Sequence, residues 1–147
     1  MKALFEQPMV TASAEATFQL GMQVAARLQP GACLVLVGEL GAGKTTFVQG
    51  LAKGLGVAGP VNSPSYLIVQ EYEGKMPLIH VDAYRLHDAW ELAEIGFDEY
   101  LQAGGVVAVE WGQRVAEALP AHSHWIRFEV RQDRSRLVRF GREAASS

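Results

Sequence analysis

The segment GELGAGKT at residues 38–45 carries the most specific chemical pattern in this chain. It fits G-x-x-x-x-G-K-[ST], in which glycines allow positive φ angles and turn successive backbone N–H groups towards one anion. Lys44 follows the last glycine and adds a positive charge, and Thr45 adds a hydroxyl that can bind magnesium. These donors suit a nucleoside triphosphate with its Mg²⁺ ion. The segment therefore predicts a phosphate-binding loop.

Two carboxylates follow apolar runs at positions that could complete such a site. Asp82 ends the run PLIHVD, and Glu110 ends the run VVAVE. Because open α/β sheets bind ligands at the carboxyl ends of their parallel strands, we expect both acids close to the loop. A nucleotide hydrolase needs such acids for magnesium and for the attacking water. We therefore predict Lys44, Asp82 and Glu110 as catalytic residues, with a surface position as the alternative for either acid.

For other residues near these segments, the sequence is compatible with either a functional or a structural role. Ser65 lies beside Pro64 in the loop after the second predicted helix, where a switch segment could meet phosphate or magnesium; an ordinary turn is the alternative. Trp111 follows Glu110 and either shapes the nucleotide site or packs in the core. His80 is expected to be a structural residue within a strand.

The apolar periodicity of the chain predicts the elements that position these residues. Helices are expected over residues 13–28 and 44–55, and between them the run 33–37 is typical of a strand buried on both faces. The other predicted elements are strands at 66–72, 78–81 and 106–109, short helices at 88–96 and 114–119, a turn at Asp98, and an antiparallel hairpin of 125–130 with 137–140. This pattern predicts one α/β domain over residues 1–147.

The composition limits the classes of function. The chain has 147 residues, 49% of them hydrophobic, and a formal net charge of −3, which offers no overall basic field for direct nucleic-acid binding. The single cysteine excludes an internal disulfide, and no apolar run reaches the roughly 18 residues that span a bilayer. We therefore expect a cytoplasmic protein without a membrane partner.

The predicted nucleotide is ATP. Guanine-specific loop proteins typically read the base with an Asn-Lys-x-Asp segment. The only asparagine of this chain is Asn62, and Ser63 follows it, so that segment is absent.

Four segments occur together in this chain: GELGAGKTTFVQGLAKGLG, VNSPSYLIVQEY, HVDAYRL with the following ELAEIGFDEYL, and VVAVEW. In this order they resemble the TsaE family, the small ATPase of bacterial tRNA threonylcarbamoyladenosine synthesis. The resemblance extends over about residues 13–139. The chain departs from the family at Ser65, where the family usually has Thr, and at Gln113, where a second acid is frequent.

The resemblance implies a P-loop NTPase-like fold with a mixed, mainly parallel sheet flanked by helices, and it implies ATP and Mg²⁺ as cofactors. Thr45 and Glu110 would coordinate magnesium, and Asp82 would be a catalytic acid. The nucleotide-binding residues carried over by position are Gly38, Gly41, Ala42, Gly43, Lys44, Thr45, Thr46, Ser65, Trp111 and Arg136, with adenine near Ser13.

The resemblance also implies partners. An ATPase of this family acts with the transferase TsaD and its partner TsaB, and resets that complex between threonylcarbamoyl transfers to adenosine 37 of certain tRNAs. Weak turnover alone and activation in the complex are expected, with tRNA met only through the complex.

Two other functions share the phosphate loop. A nucleotide-gated adaptor would signal by loop ordering with negligible hydrolysis. A small-molecule kinase would need arginines on a lid, and only Arg85 stands in a region that could form one.

Overall fold

One mixed sheet organises the chain. The structure, a computed structural model, describes residues 5–39, 41–59, 61 and 69–141, with the backbone alone for Arg85. The strands of these residues are β1 (Met9–Thr11), β2 (Cys33–Gly38), β3 (Val69–Tyr72), β4 (Leu78–Asp82), β5 (Val106–Glu110), β6 (His124–Val130) and β7 (Arg136–Phe140). Across the sheet their order is β1-β7-β6-β2-β5-β4-β3.

The centre of the sheet is parallel and its margins are antiparallel. Strands β6, β2, β5 and β4 run parallel to one another, whereas β3, β7 and β1 pair antiparallel with their neighbours. The predicted C-terminal hairpin is present as β6 and β7, and the predicted mixed, mainly parallel sheet is confirmed. Strand β2 lies between β5 and β6, and its continuous apolar run is buried on both faces.

Helices cover both faces of the sheet. They are α1 (Ala14–Ala25) and α2 (Lys44–Gly54) on one face, and α3 (Ala89–Glu94), α4 (Phe97–Gln102) and a 3₁₀ helix (Gly112–Ala118) on the other. Alternate residues of β2 contribute to the two cores: Leu34 and Leu36 to the first, Val35 and Val37 to the second. Among the described residues, no helix has the length and apolar character that a membrane span requires.

Helices α1 and α2 approach each other closely at two glycines. A Cβ atom at Gly50 would lie 1.9 Å from the backbone oxygen of Phe18, and one at Gly21 would lie 2.3 Å from the backbone oxygen of Phe47. Only glycine leaves space for this contact. The helix that follows the phosphate loop is thereby held directly against α1.

Local sequence signals begin the helices as predicted. The Ser13 hydroxyl accepts a hydrogen bond from a first-turn N–H of α1 (3.1 Å), and the Asp88 carboxylate accepts one in α3 (3.2 Å). Helix α1 ends at Ala25, earlier than predicted. The chain instead continues in tighter turns, in which the Leu28 N–H donates to the Ala25 carbonyl (3.3 Å).

The structure differs from the sequence prediction at other elements. No sequence pattern indicates β1, because three residues are too few for an alternation and this strand forms only by pairing with β7. The predicted helix at 114–119 is instead the 3₁₀ helix, whose helical φ/ψ angles are interrupted at Val115. A complete helix, α4, replaces the turn predicted at Asp98. Residues 66–68 of one predicted strand lie outside the described residues.

Candidate functional site

A cleft of about 360 Å³ opens at the carboxyl ends of β4 and β5, beside the N-terminus of α2. Its walls come from the start of α1, the phosphate loop with the first turn of α2, the ends of β4 and β5, and the β6–β7 hairpin. Parallel strands carry their ligand sites at this edge of a sheet. The cleft therefore lies where the sequence predicts a nucleotide site.

The phosphate loop turns sharply into α2. Gly43, which immediately precedes the helix, has a φ of +102° and a ψ of 8°, a left-handed conformation that favours glycine. The first N–H groups of a helix lack acceptors within the helix, and its dipole is positive at this end. Gly43, Thr45 and Thr46 line the cleft, so an anion there would meet the donors of the first turn.

Lys44 lines the cleft and is only 5% exposed. Its Nζ donates a hydrogen bond to the Gly38 carbonyl oxygen at 2.5 Å and lies 4.3 Å from the centre of the Trp111 ring. Burial lowers the pKa of Lys44, and the charges of Glu110 and Asp82 act in the opposite direction. The ammonium is thus a partly desolvated positive charge compensated by two acids.

Asp82 and Glu110 come together at the end of the sheet. They are directly opposite each other in the parallel register of β4 and β5, and both line the cleft. The Asp82 carboxylate accepts a hydrogen bond from the Tyr84 N–H (3.0 Å) and so caps a second, shorter 3₁₀ helix, Ala83–Arg85. The Glu110 carboxylate accepts a hydrogen bond from His80, with 2.6 Å between Nε2 and Oε2.

Trp111 both lines the predicted nucleotide site and packs in the core, which are the two alternatives that the sequence leaves open. Its ring lines the cleft beneath Lys44, and it also packs against the second core. Its φ of 62° and ψ of 30° put a large residue in the left-handed region, which costs roughly 1 kcal/mol or more for a non-glycine residue. The Tyr84 ring also contacts it in a tilted arrangement, with ring centroids 5.2 Å apart and an interplanar angle of 58°.

The C-terminal hairpin contributes a positive wall. Arg136, the first residue of β7, donates from Nη2 to the Gly41 carbonyl oxygen of the phosphate loop at 3.2 Å. It also donates from Nη1 to the carbonyl of Arg134, another cleft residue. The arginine predicted from the family likeness thus lies against the loop, although 95 positions separate Arg136 from Gly41.

The start of α1 and the end of β1 form the neighbouring wall, because Thr11 pairs with Arg136 in the sheet. Ser13 lines the cleft, as expected for the region assigned to adenine, together with Thr11 and Thr17. The hydroxyls of these two threonines hydrogen-bond each other at 2.7 Å in a buried position. Thr11 belongs to β1, so no local pattern in the sequence could have indicated its place in the cleft.

The structure brings together most of the predicted site residues. Ala42 is buried behind the loop at 1% exposure and can contribute only its backbone, and Gly38 serves as the acceptor for Lys44. Ser65 lies outside the described residues. The additional lining residues that sequence reasoning missed are Thr11, Ala14, Thr17 and Arg134.

The residues of the cleft fit a triphosphate with magnesium. A phosphate would supply the acceptor and the negative charge that a buried ammonium at Lys44 and the N-terminus of α2 both favour. Magnesium bound with a nucleotide usually takes one or two protein ligands, with phosphate oxygens and waters completing its octahedron. Thr45 and Glu110 both line the cleft and carry oxygen ligands of this kind.

Comparison with known proteins assigns the family. A family model described as "Threonylcarbamoyl adenosine biosynthesis protein TsaE" matches residues 11–138. The chain is 42% identical over 131 residues to the tRNA threonylcarbamoyladenosine biosynthesis protein TsaE of Bacillus subtilis, which covers 88% of this chain and 82% of the relative. It is 40% identical over 129 residues to the protein of the same name from Treponema pallidum, covering 88% of this chain and 96% of that one.

A solved structure supports the same assignment. The crystal structure of Bacillus subtilis YdiB superimposes with a TM-score of 0.79 at 35% identity, covering 95% of this chain and 86% of that chain. The sequence match extends from β1 to β7 and therefore includes every wall of the cleft. This chain belongs to the TsaE family of threonylcarbamoyladenosine biosynthesis proteins.

Proposed function

We propose that this protein binds and hydrolyses ATP in support of tRNA threonylcarbamoyladenosine synthesis. The observation that carries the proposal is the convergence of Lys44, Asp82 and Glu110 on one cleft at the N-terminus of α2. A phosphate loop alone would support nucleotide binding. Two acids at the ends of adjacent parallel strands add the groups that magnesium and an attacking water require.

Each residue has a distinct task in the proposed reaction. The loop N–H groups and Lys44 hold the phosphates, and Arg136 adds positive charge from the hairpin. Thr45 and Glu110 would hold Mg²⁺, which offsets the phosphate charge when it is bound. Asp82 orients a water towards the γ-phosphorus and accepts its proton, and the bond from that phosphorus to the bridging oxygen breaks to release ADP and phosphate.

The proposed partners are those that the family implies. The protein would act with a transferase pair of the TsaD and TsaB type, which transfers threonylcarbamoyl to adenosine 37 of tRNA. The net charge of −3 supports an indirect encounter with tRNA through that complex. Because regulatory ATPases commonly turn over slowly until assembly orders their site, we expect weak hydrolysis by the protein alone.

The test is ATP hydrolysis by the purified protein, alone and with the matching TsaD–TsaB pair. Lys44→Ala should abolish turnover. Lys53→Ala, which removes an exposed lysine from the last turn of the same helix, should leave turnover unchanged. Low turnover that rises with the pair and disappears in Lys44→Ala supports the proposal.

Other outcomes identify the other candidate functions. Tight ATP binding with no measurable hydrolysis, even with the pair, would favour a nucleotide-gated adaptor. Phosphate transferred to a small molecule rather than released to water would favour a kinase. An equal rate of ATP hydrolysis with and without the TsaD–TsaB pair would contradict the proposed partners.

A further inference from the structure

His80 lies beneath the cleft and contacts one of its acids. The imidazole is fully buried within β4, with 0% exposure, and its Nε2 is 2.6 Å from Oε2 of Glu110. The residue opposite His80 in the register of β4 and β5 is Ala108, two residues before Glu110. The small side chain at that position is compatible with an imidazole that reaches along the sheet to the carboxylate.

The surroundings of the imidazole indicate which of its nitrogens carries the proton in this hydrogen bond. Nδ1 is buried and has no hydrogen-bond partner within the described part of the chain. A proton on Nδ1 would bury an unpaired N–H donor, which is unfavourable. The neutral tautomer with the proton on Nε2 avoids this, since Nε2–H donates to the carboxylate and Nδ1 keeps only an unfilled lone pair. His80 therefore donates from Nε2–H to Glu110.

This hydrogen bond has a consequence for the acid. A carboxylate at the end of a strand can rotate about its side-chain torsions, and those torsions are broad. A donor locked inside the sheet and bonded to Oε2 restricts that rotation and leaves Oε1 for a ligand in the cleft. Groups that orient a metal-binding carboxylate in this way typically change metal affinity by about 10–100-fold when they are removed.

We propose that His80 is a positioning residue for Glu110 and that its Nε2–H holds the carboxylate in the orientation that binds magnesium with the nucleotide. The inference rests on the proposed function, because it assumes a magnesium–nucleotide complex in the cleft. Within the TsaE motif HVDAYRL, it gives the histidine a role separate from that of Asp82. Loss of the donor should weaken the magnesium-dependent part of nucleotide binding and leave the magnesium-independent part unchanged.

Three substitutions separate the donor from the space that the side chain fills. In His80→Gln the amide nitrogen can take the place of Nε2 and keep the donor. In His80→Asn the amide lies near the position of Nδ1 and falls short of Glu110. In His80→Leu the position is filled by an apolar group of similar size without a donor. Unfolding in urea shows which variants retain the native fold.

The measurement is the affinity for a fluorescent ATP analogue in Mg²⁺ and in EDTA. We expect the gain in affinity on adding Mg²⁺ to fall by about tenfold or more in His80→Leu and His80→Asn, and to stay within about threefold of wild type in His80→Gln. In a Glu110→Gln background, His80→Leu should cause no further loss of that gain. If His80→Leu does not fold, the comparison of Asn with Gln decides the same question.

The possible failures are distinguishable. A wild-type protein that binds the analogue equally in Mg²⁺ and EDTA would contradict the proposed function, and with it this inference. If the wild-type protein binds the analogue more tightly in Mg²⁺, and His80→Leu or His80→Asn keeps that gain in affinity, His80 does not position Glu110. The proposed function would then still stand. The same conclusion would follow if His80→Gln lost the gain as fully as His80→Asn.

Discussion

At the scale of single residues, the cleft depends on charges taken out of water. Lys44 is buried, which lowers its pKa, and two carboxylates act against that shift. A phosphate bound there would face the positive charge of Lys44 and the N-terminus of α2, and a magnesium ion bound with it would offset the negative charge of the two acids. The contribution of each acid should therefore be separable by substitutions that remove only its charge.

Glu110→Gln should reduce magnesium-dependent ATP turnover by at least about tenfold, because an amide is a poorer ligand for a hard cation than a carboxylate. The amide oxygen can still accept the hydrogen bond from His80, so we expect the free energy of unfolding to change by less than about 1 kcal/mol. Steady-state phosphate release and urea unfolding measure the two effects. Glu117→Gln, at an exposed acid of the 3₁₀ helix, is the matched control. Unchanged turnover in Glu110→Gln would remove this acid from the site.

Cys33 should be unreactive in the folded protein. Burial in β2 raises the pKa of its thiol from 9.0 to about 12, against a weaker lowering by a hydrogen bond with Ser123. At pH 8 the folded thiol would therefore carry roughly 1000-fold less thiolate than an exposed one. Labelling with a thiol reagent should be slow in buffer and fast in urea. Fast labelling in buffer would show that β2 is accessible in the native state.

The same thiol makes stability depend on pH at the alkaline end. Its folded pKa lies above its unfolded pKa, so the unfolded chain loses the proton first as pH rises. This contribution is fully present below pH 9.0 and is lost as pH rises towards 12.

At the scale of elements, the contact between α1 and α2 determines how the phosphate loop is held. Gly50 brings α2 so near to α1 that a Cβ atom there would lie 1.9 Å from a backbone oxygen. The start of α1 lines one wall of the cleft and the start of α2 lines another. A change at this contact should therefore affect both stability and the width of the site.

Gly50→Ala should destabilise the protein by about 1–3 kcal/mol, because the clash outweighs the gain of roughly 1 kcal/mol that alanine normally brings to a helix interior. The free energy of unfolding in urea measures the effect. Lys53→Ala, at an exposed position of the same helix, should change it by less than about 0.5 kcal/mol. A stabilised Gly50→Ala would mean that the two helices can separate at little cost.

At the scale of the whole molecule, the cleft is assembled from segments far apart in the chain. Thr11 comes from the first strand and Arg136 from the last, and both line the cleft that contains the phosphate loop. The hairpin reaches the loop because β6 pairs with β2 in the centre of the sheet. Nucleotide binding should consequently depend on the hairpin.

Arg136→Ala should weaken ATP binding by about tenfold, as expected for the loss of one hydrogen bond to a charged group. Calorimetric titration with a slowly hydrolysed ATP analogue measures the effect. Arg139→Ala provides the control, since this arginine lies in the same strand but pairs with Glu129 at 2.8 Å on the exposed side. Equal losses in the two variants would indicate a general weakening of the hairpin instead of a direct contact.

The isolated protein should not retain tRNA at physiological ionic strength. Its net charge of −3 opposes the phosphate backbone, and the affinity of proteins for nucleic acid depends mainly on cationic contacts. A filter-retention assay with the protein alone and with the TsaD–TsaB pair tests this. Retention by the protein alone would contradict an indirect encounter with tRNA.

The local features of this protein can be predicted from its sequence alone. The phosphate loop, the buried strand before it, the caps at Ser13 and Asp88, and the C-terminal hairpin all follow from residues a few positions apart. Turn conformations, helix caps and apolar periodicity are short-range properties, and the chain encodes them within one or two turns or strands. The family likeness added the expected sheet and the sites carried over by position.

The contacts between distant segments, in contrast, depend on the folded structure. The hydrogen bond from Arg136 to Gly41 and the pairing of His80 with Glu110 join residues that are 95 and 30 positions apart. The place of Thr11 in the cleft depends on the pairing of β1 with β7, which come from opposite ends of the chain. These contacts depend on sheet register and helix packing, which are set by the summed burial of many side chains. No short segment of sequence contains that information, and it is why the cleft becomes visible only in the folded molecule.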